Sequence, residues 1–511
     1  MSGAGGIEVS GAPTRGRPAS FEQLSPGVAG ARVVSEDLAA VTDELASAHG
    51  ARLADLFASE PDGDGALLHV VYALDHEQRY AIVECPVRGA EFPALSDLDP
   101  AAFVEECEIY EQFAIRPASD KPLNRVLMPP HAEATFPKLT RRQRAKLERV
   151  HAPHVVQGEA FEFPFGPVRV AAWETLYMGL VTTGEEVLDL YLFQWHKHRG
   201  AERRLVGVGP ERGLFFVERV DGLNAIANGL AFCRALEAAA QVEPPPPAIR
   251  TRALALELER IYNHAAAIAA MCQTTGLSVG QAQSEIVVEE LLRLNAAAFG
   301  HRYLFGVLAP GGVARAPDVD VVRRGLPRLC DELRRVARAL LATNSHVDRL
   351  EATGVVSRET ARRLGLVGPV ARGSGVAIDC RSDHPFAPYE ELELSAESGE
   401  SGDVLARMQV MLAEVIVSER VAMAQLNGAG AGAAEVRPRA GAGLGWAESA
   451  RGEALTWVAL DQHGVIQRAR LRPASVRNWR AFDDAARSQN VFTDIPIIEA
   501  SFWLTVAGFA R

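Results

Sequence analysis

Glu218-Arg219-Val220-Asp221-Gly222-Leu223-Asn224 is a short polar turn, and the apolar run Ala225 to Leu236 follows it at once. The run reads as a helix. A turn with two carboxylates, a guanidinium and an amide at the head of an apolar helix can hold a metal, line a binding cavity or pack as structure. What this turn holds decides what the rest of the chain can do.

Around it lies a chain of 511 residues, long enough for two or three units that each bury a core. Hydrophobic residues make up 48% and charged residues 23%, the balance of a soluble globular protein. The net charge is -12, from 65 acids against 53 bases, which argues against a nucleic-acid partner. Cys85, Cys107, Cys233, Cys272, Cys330 and Cys380 are scattered, with no C-x-x-C pair. They read as reduced, buried thiols, so neither zinc nor an iron–sulfur cluster is expected on this chain. The polar N-terminus has no signal-peptide core. His264 to Ser284 carries no charge, but its glutamines and threonines mark a buried helix and loop better than a membrane span.

The expected fold class is α+β: a small N-terminal α/β domain, then a mainly α-helical domain with a β fringe. Residues 1–25 read as disordered, 26–132 as the small domain, 133–154 as a linker and 155–511 as the large domain. In the small domain, apolar spacing predicts a helix from Ser35 to Phe57. A hairpin follows, with strands Leu67–Leu74 and Tyr80–Cys85, and then a helix from Ala101 to Phe113. Pro137 to Arg149 carries a basic run. In the large domain, strands are expected at 168–172, 176–181 and 187–193. Helices are expected at Ile249–Met271, Val287–Phe299, Val321–Ala342 and Ser401–Leu426. A flexible Gly/Ala stretch is expected to about Gly445, with strands at Leu455–Leu460 and Ile466–Leu471.

Glu105-Glu106-Cys107-Glu108-Ile109-Tyr110-Glu111-Gln112-Phe113-Ala114-Ile115, followed by Pro122 to Pro129, resembles the signature of the small scaffold subunit of respiratory complex I. In that family an acidic helix ending in Phe-Gly-Ile leads to a Pro-Leu-x-Arg segment; here Ala114 replaces the glycine. Residues 163 to 511 resemble the large subunit of the group 4 membrane-bound nickel–iron hydrogenases, formate hydrogenlyase in particular. That family is homologous to the quinone-site subunit of complex I. The resemblance rests on His198-Arg199-Gly200, Glu218-Arg219-Val220, Leu258 to His264, Gly311-Gly312-Val313, Gly368 to Gly375, Asp379 to Phe386, Pro473 to Trp479 and Thr493 to Pro496.

In active hydrogenases two Cys-x-x-Cys turns hold the metals. The resemblance sets those four positions at Asp221, Asn224, Thr505 and Gly508, and none is cysteine. Carboxylate, amide and hydroxyl are harder ligands than thiolate, so no bound metal is expected. The resemblance implies no cofactor held by this chain itself, with quinone as a possible ligand of the old metal cavity. Catalytic candidates are His198, Asp221, Asp383 and His384. Acceptor-cavity candidates are Glu218, Arg219, Arg381 and Tyr191, and Arg199, Arg219, Arg381 and Asp383 read as one buried ionic network. Tyr177 is a further proton-carrying candidate. Implied partners are an iron–sulfur small subunit (which would hold the clusters), a ferredoxin-like subunit and antiporter-like membrane subunits. The chain would sit on the cytoplasmic face of the membrane, in a complex whose relatives bring NAD binding with them. The alternative is a non-catalytic scaffold in which Phe502 and Trp503 fill the space left by metal.

Overall fold

The computed structural model describes residues 20–60, 65–129, 160–169, 174–396, 398–487 and 489–511. The expected linker, the basic run at 137–149, most of the low-complexity N-terminus and the strand residues 170–172 lie outside these.

Five strands form the sheet of the small domain: β1 (Glu22–Ser25), β2 (Val28–Arg32), β3 (Arg52–Ser59), β4 (Ala66–Leu74) and β5 (Arg79–Val87), in the order β1-β2-β5-β4-β3. β2 and β5 run parallel and the other pairs are antiparallel. The expected hairpin is β4–β5. Residues 22–25 belong to the sheet, so the small domain begins before residue 26. Helix α1 (Ser35–His49) and helix α2 (Phe103–Phe113) cover one face, with Leu38, Leu45, Ile109 and Phe113 packed on Leu56, Leu68, Val70 and Val83. The helix expected to reach Phe57 stops at Gly50, whose φ of 59° closes it. Leu53 and Leu56 lie on β3. That strand is buried on both faces, so its period of two is hidden behind a continuous apolar run.

The large domain is built on five helices: Ala225–Ala240, Pro246–Thr274, Ser278–Phe299, Val319–Leu341 and Val404–Gln425. The second starts at Pro246, three residues before the expected Ile249, because proline is tolerated in a first helical turn. The uncharged stretch 264–284 is the end of that helix and the start of the next, joined through Thr275–Leu277, not a helix followed by a loop. Phe161–Phe165, Tyr177–Thr182 and Val187–Phe193 form one antiparallel sheet. Gly441–Ser449, Gly452–Leu460 and Ile466–Arg472 form another.

The Gly/Ala stretch is therefore not flexible up to Gly445. Gly441, Gly443 and Gly445 alternate along a strand that lies directly against the helix Ala225–Ala240. A Cβ on Gly443 would sit 2.3 Å from the Ala235 carbonyl oxygen, and one on Gly445 would sit 2.1 Å from that of Ala231. Glycine is what lets the two backbones touch. The opposite face of the same sheet carries Leu444, Trp446, Leu455 and Trp457. They pack on Phe57, Val71, Tyr80 and Ile82 of the small domain, so the two domains share a core.

Ion pairs seal this junction. Arg470 donates to Asp55 at 2.8 Å and to Glu108 at 2.6 Å. Arg511, itself 1% exposed, reaches Glu108 at 2.7 Å and Glu202 at 2.9 Å. Arg52 of β3 pairs with Glu453 at 2.7 Å. Helix α2 divides its buried acids: Glu106 and Glu111 accept backbone N–H groups of their own domain, while Glu105 and Glu108 pair with arginines of the large domain. Among the described residues no helix is long and apolar enough to cross a membrane.

Candidate functional site

The four positions assigned to metal ligands meet in one hydrogen-bonded knot. Asp221 Oδ2 accepts from Asn224 Nδ2, Thr505 Oγ1 and Arg451 Nη1, each at 2.9 Å. Gly508 N–H donates to Thr505 Oγ1 at 3.2 Å. Asp221, Asn224, Thr505 and Arg451 are all buried. The knot joins the turn before helix Ala225–Ala240 to the short C-terminal helix Val506–Phe509, whose N-cap is Thr505. A Cβ on Gly508 would lie 2.6 Å from Thr505 Oγ1, so no side chain fits there beside the threonine. The donor set does not fit a nickel–iron centre. It offers no thiolate, and its one carboxylate is already taken by a guanidinium, a hydroxyl and an amide.

Residues behind the knot hold it in place. Arg451 Nε donates to the Trp503 carbonyl, and Trp503 Nε1 donates to Asn263 Oδ1 at 3.0 Å. Asn263 and Tyr262 both donate to the Leu223 carbonyl at 2.8 Å. Glu259 accepts from the N–H groups of Ile226 (2.6 Å) and Ala227 (2.9 Å) at the head of the turn's helix. Burial pushes the Glu259 carboxyl up to about 8, despite those two donors.

A cavity of about 720 Å³ opens beside the knot. Asp221, Thr505 and Arg451 form part of its wall, with Glu174, Tyr303 and Trp503 among the other lining groups. Glu174 accepts the N–H groups of Val506 and Ala507, and burial raises its carboxyl above the usual range. Arg169 makes a two-pronged pair with Glu499 at 2.7 and 2.8 Å. Lys197 lies 3.9 Å from Glu174.

The candidates read from sequence divide. Asp221, Arg219 and Thr505 line the cavity. Glu218 lies just behind, its buried carboxylate accepting from Gly306 N–H at 3.1 Å and pairing with Arg219 at 3.3 Å. His198 is outside, its Nδ1 3.2 Å from the Ala510 carbonyl, and burial lowers its pKa. Tyr191 and Tyr177 are in an aromatic cluster with Phe193 on the three-stranded sheet.

His384 sits at the domain junction. Its Nε2 is 2.8 Å from Asp75 Oδ1, and its ring stacks on Tyr80 with centroids 4.1 Å apart. Asp383 accepts from Asp379 N–H at 2.8 Å, and Arg381 is buried between Asp379 and Glu257. The expected single network is therefore divided: Arg199 and Arg219 are at the cavity, while Arg381 pairs with Asp379 and Glu257 and Asp383 caps the Asp379 N–H away from it. Phe502 does not fill the cavity. It packs on Phe482 under Arg407, while Trp503 is a wall. Glu174, Lys197 and Arg451 carry no local signal that marks them in sequence; Lys197 comes from the short helical turn Trp195–Lys197 and Arg451 from the turn between Gly441–Ser449 and Gly452–Leu460.

Comparison with known proteins accounts for both domains. Residues 286–436 match the 49 Kd subunit of respiratory-chain NADH dehydrogenase, and residues 31–141 match its 30 Kd subunit. Formate hydrogenlyase subunit 5 of Escherichia coli (strain K12) is 27% identical over 441 residues, 82% of this chain and 77% of that protein. The carbon monoxide-induced hydrogenase of Rhodospirillum rubrum is 30% identical over 346 residues, 66% of this chain and 96% of that protein. An NADH-quinone oxidoreductase subunit of Herpetosiphon aurantiacus is 28% identical over 373 residues, 68% of this chain and 97% of that protein. The chain belongs to the large-subunit family that these hydrogenases share with the 49 Kd subunit of respiratory-chain NADH dehydrogenase, and it carries a 30 Kd-subunit domain fused in front.

Proposed function

We propose that this chain is the large subunit of a complex I-like oxidoreductase held at the inner face of the cell membrane. It passes electrons from an iron–sulfur partner to a quinone or a similar small acceptor, without a nickel–iron centre. The supporting observation is the 720 Å³ cavity whose wall includes Asp221 and Thr505, two of the four positions that the resemblance assigns to metal ligands, with Trp503 also in its wall. An acceptor seated there would meet apolar surface from Phe305, Ala270 and Leu504 and polar groups from the knot. Glu174, with its raised carboxyl, is the group best suited to hold a proton beside it. The partners this reading requires are the iron–sulfur small subunit, a ferredoxin-like subunit and antiporter-like membrane subunits.

The test is quinone reduction by the purified complex. Ala270→Trp, which fills the cavity, abolishes the reaction while the complex still assembles. Activity at the unmodified level in that variant defeats the acceptor site. Stoichiometric nickel in the purified complex defeats the reading that no nickel–iron centre is present. A second reading, the non-catalytic scaffold, draws on the self-satisfied knot, in which Asp221 needs no ligand to be fully bonded. It expects a complex with no acceptor reduction under any donor.

A further inference from the structure

The cavity wall carries more positive than negative charge, and the excess sits at the mouth. Arg169, Lys197, Arg199, Arg219 and Arg451 face Glu174, Asp221 and Glu499. Two of the cations are neutralised inside: Arg169 by Glu499 and Arg451 by Asp221. The remaining three form a row. Arg199 donates to the carbonyls of Arg219 (3.3 Å) and Ala507 (3.3 Å), and the N–H of the same Ala507 donates to Glu174 at 3.0 Å, beside Lys197. Among the described residues Arg199 has only backbone carbonyls as acceptors. Arg219 lies over Phe215 at 3.8 Å and Phe305 at 4.8 Å and, among the described residues, has Glu218 as its one carboxylate neighbour, at 3.3 Å. Among the described residues Glu174, 3.9 Å from Lys197, is the one wall carboxylate left to set against these three cations. The four residues between Arg169 and Glu174 are Val170, Ala171, Ala172 and Trp173, so that segment adds no charge.

Resting on the acceptor-cavity reading above, we propose that the cavity's ligand is anionic: an apolar, planar body carrying an acidic head group that Lys197, Arg199 and Arg219 hold at the mouth. The apolar floor takes the body, and the guanidinium forks suit a carboxylate or sulfonate. A neutral ligand would leave these three cations with Glu174 as their one carboxylate partner among the described wall residues.

The test uses two matched probes on the full-length protein in its complex, by equilibrium dialysis at low ionic strength. They are anthraquinone-2-sulfonate and the uncharged 2-(hydroxymethyl)anthraquinone. The sulfonate should bind about tenfold more tightly, and 0.5 M salt should cut that preference to about threefold or less. Lys197→Gln with Arg219→Gln, which leaves Arg199 in place, should cut the preference to about threefold or less and leave the uncharged probe's affinity within about twofold. Both side chains reach solvent, so the variant is expected to fold; Lys197→Glu is the second variant and should cut the preference to about threefold or less. Equal binding of the two probes overturns the anionic assignment while sparing the acceptor cavity, and so does a preference that survives the substitutions. Binding of neither probe, or binding unchanged in Ala270→Trp, overturns both.

Discussion

Gly445→Ala tests the packing that positions the site. A Cβ at 445 would lie 2.1 Å from the Ala231 carbonyl oxygen, 2.4 Å from Ala235 N and 2.9 Å from Arg234 Cβ. To restore an ordinary contact the helix Ala225–Ala240 must retreat by roughly 1.3 Å. The obstruction is helix backbone, so no side-chain rotation relieves it. Overpacking of this kind costs about 1–3 kcal/mol. The same retreat drags Asn224 and Asp221, at the head of that helix, away from Thr505 and Arg451. Stretching the two 2.9 Å hydrogen bonds that Asp221 accepts from Arg451 and Thr505 adds roughly 1 kcal/mol. The expected loss is thus about 2–4 kcal/mol, read as a lowered urea midpoint by tryptophan fluorescence, with weaker probe binding in the cavity. Gly89→Ala is the control: its nearest neighbour, Glu91 N, is 3.9 Å from the new Cβ, and the change should stay within about 0.5 kcal/mol. A Gly445→Ala protein as stable as the unmodified chain would refute the close approach of strand and helix.

Asp221→Ala and Arg451→Met each strand a buried charge and should cost about 3–5 kcal/mol, whereas the double variant should cost less than the sum. Additive losses in a denaturation cycle would show that the two are not partners. Arg470→Met leaves Asp55 and Glu108 without their shared cation; a loss of about 3–5 kcal/mol and separate unfolding transitions for the two domains are expected by calorimetry. Asp55, Glu108 and Glu202 are driven up by burial, but their arginines outweigh it and hold them below the usual range. Their stabilisation is therefore complete above the ordinary carboxylate pKa and lost as pH falls below about 4, which unfolding midpoints on an acid series will read. Glu259 has the opposite sign: the folded protein keeps a proton there that the unfolded chain releases above about pH 4, so stability declines as pH rises from there toward 8. Glu259→Gln should flatten that decline.

The sequence alone determined the two-domain order, the long helices and the β4–β5 hairpin, because each rests on a local signal: apolar period, turn residues, proline and glycine stops. It also determined that no thiolate stands at the four positions that the resemblance assigns to metal ligands, since that is a matter of residue identity. Ordered motifs identified both domains, and the acidic α2 was visible among them.

What those acids do was decided only by tertiary structure. Two clamp the small domain's own backbone and two meet arginines brought from residues 470 to 511. Gly441 to Gly445 read as flexible because composition cannot show that a helix lies against it; the absent side chains are there for contact, not for freedom. His384 and Asp383 belong to a motif that carries the family resemblance, yet neither lines the cavity: His384 meets Asp75 of the small domain and Asp383 accepts from Asp379 N–H. Asp221, Thr505 and Arg451 stand far apart in sequence and meet at 2.9 Å. A cavity is made by the packing of distant segments, and local pattern records only which side chains each segment brings to it.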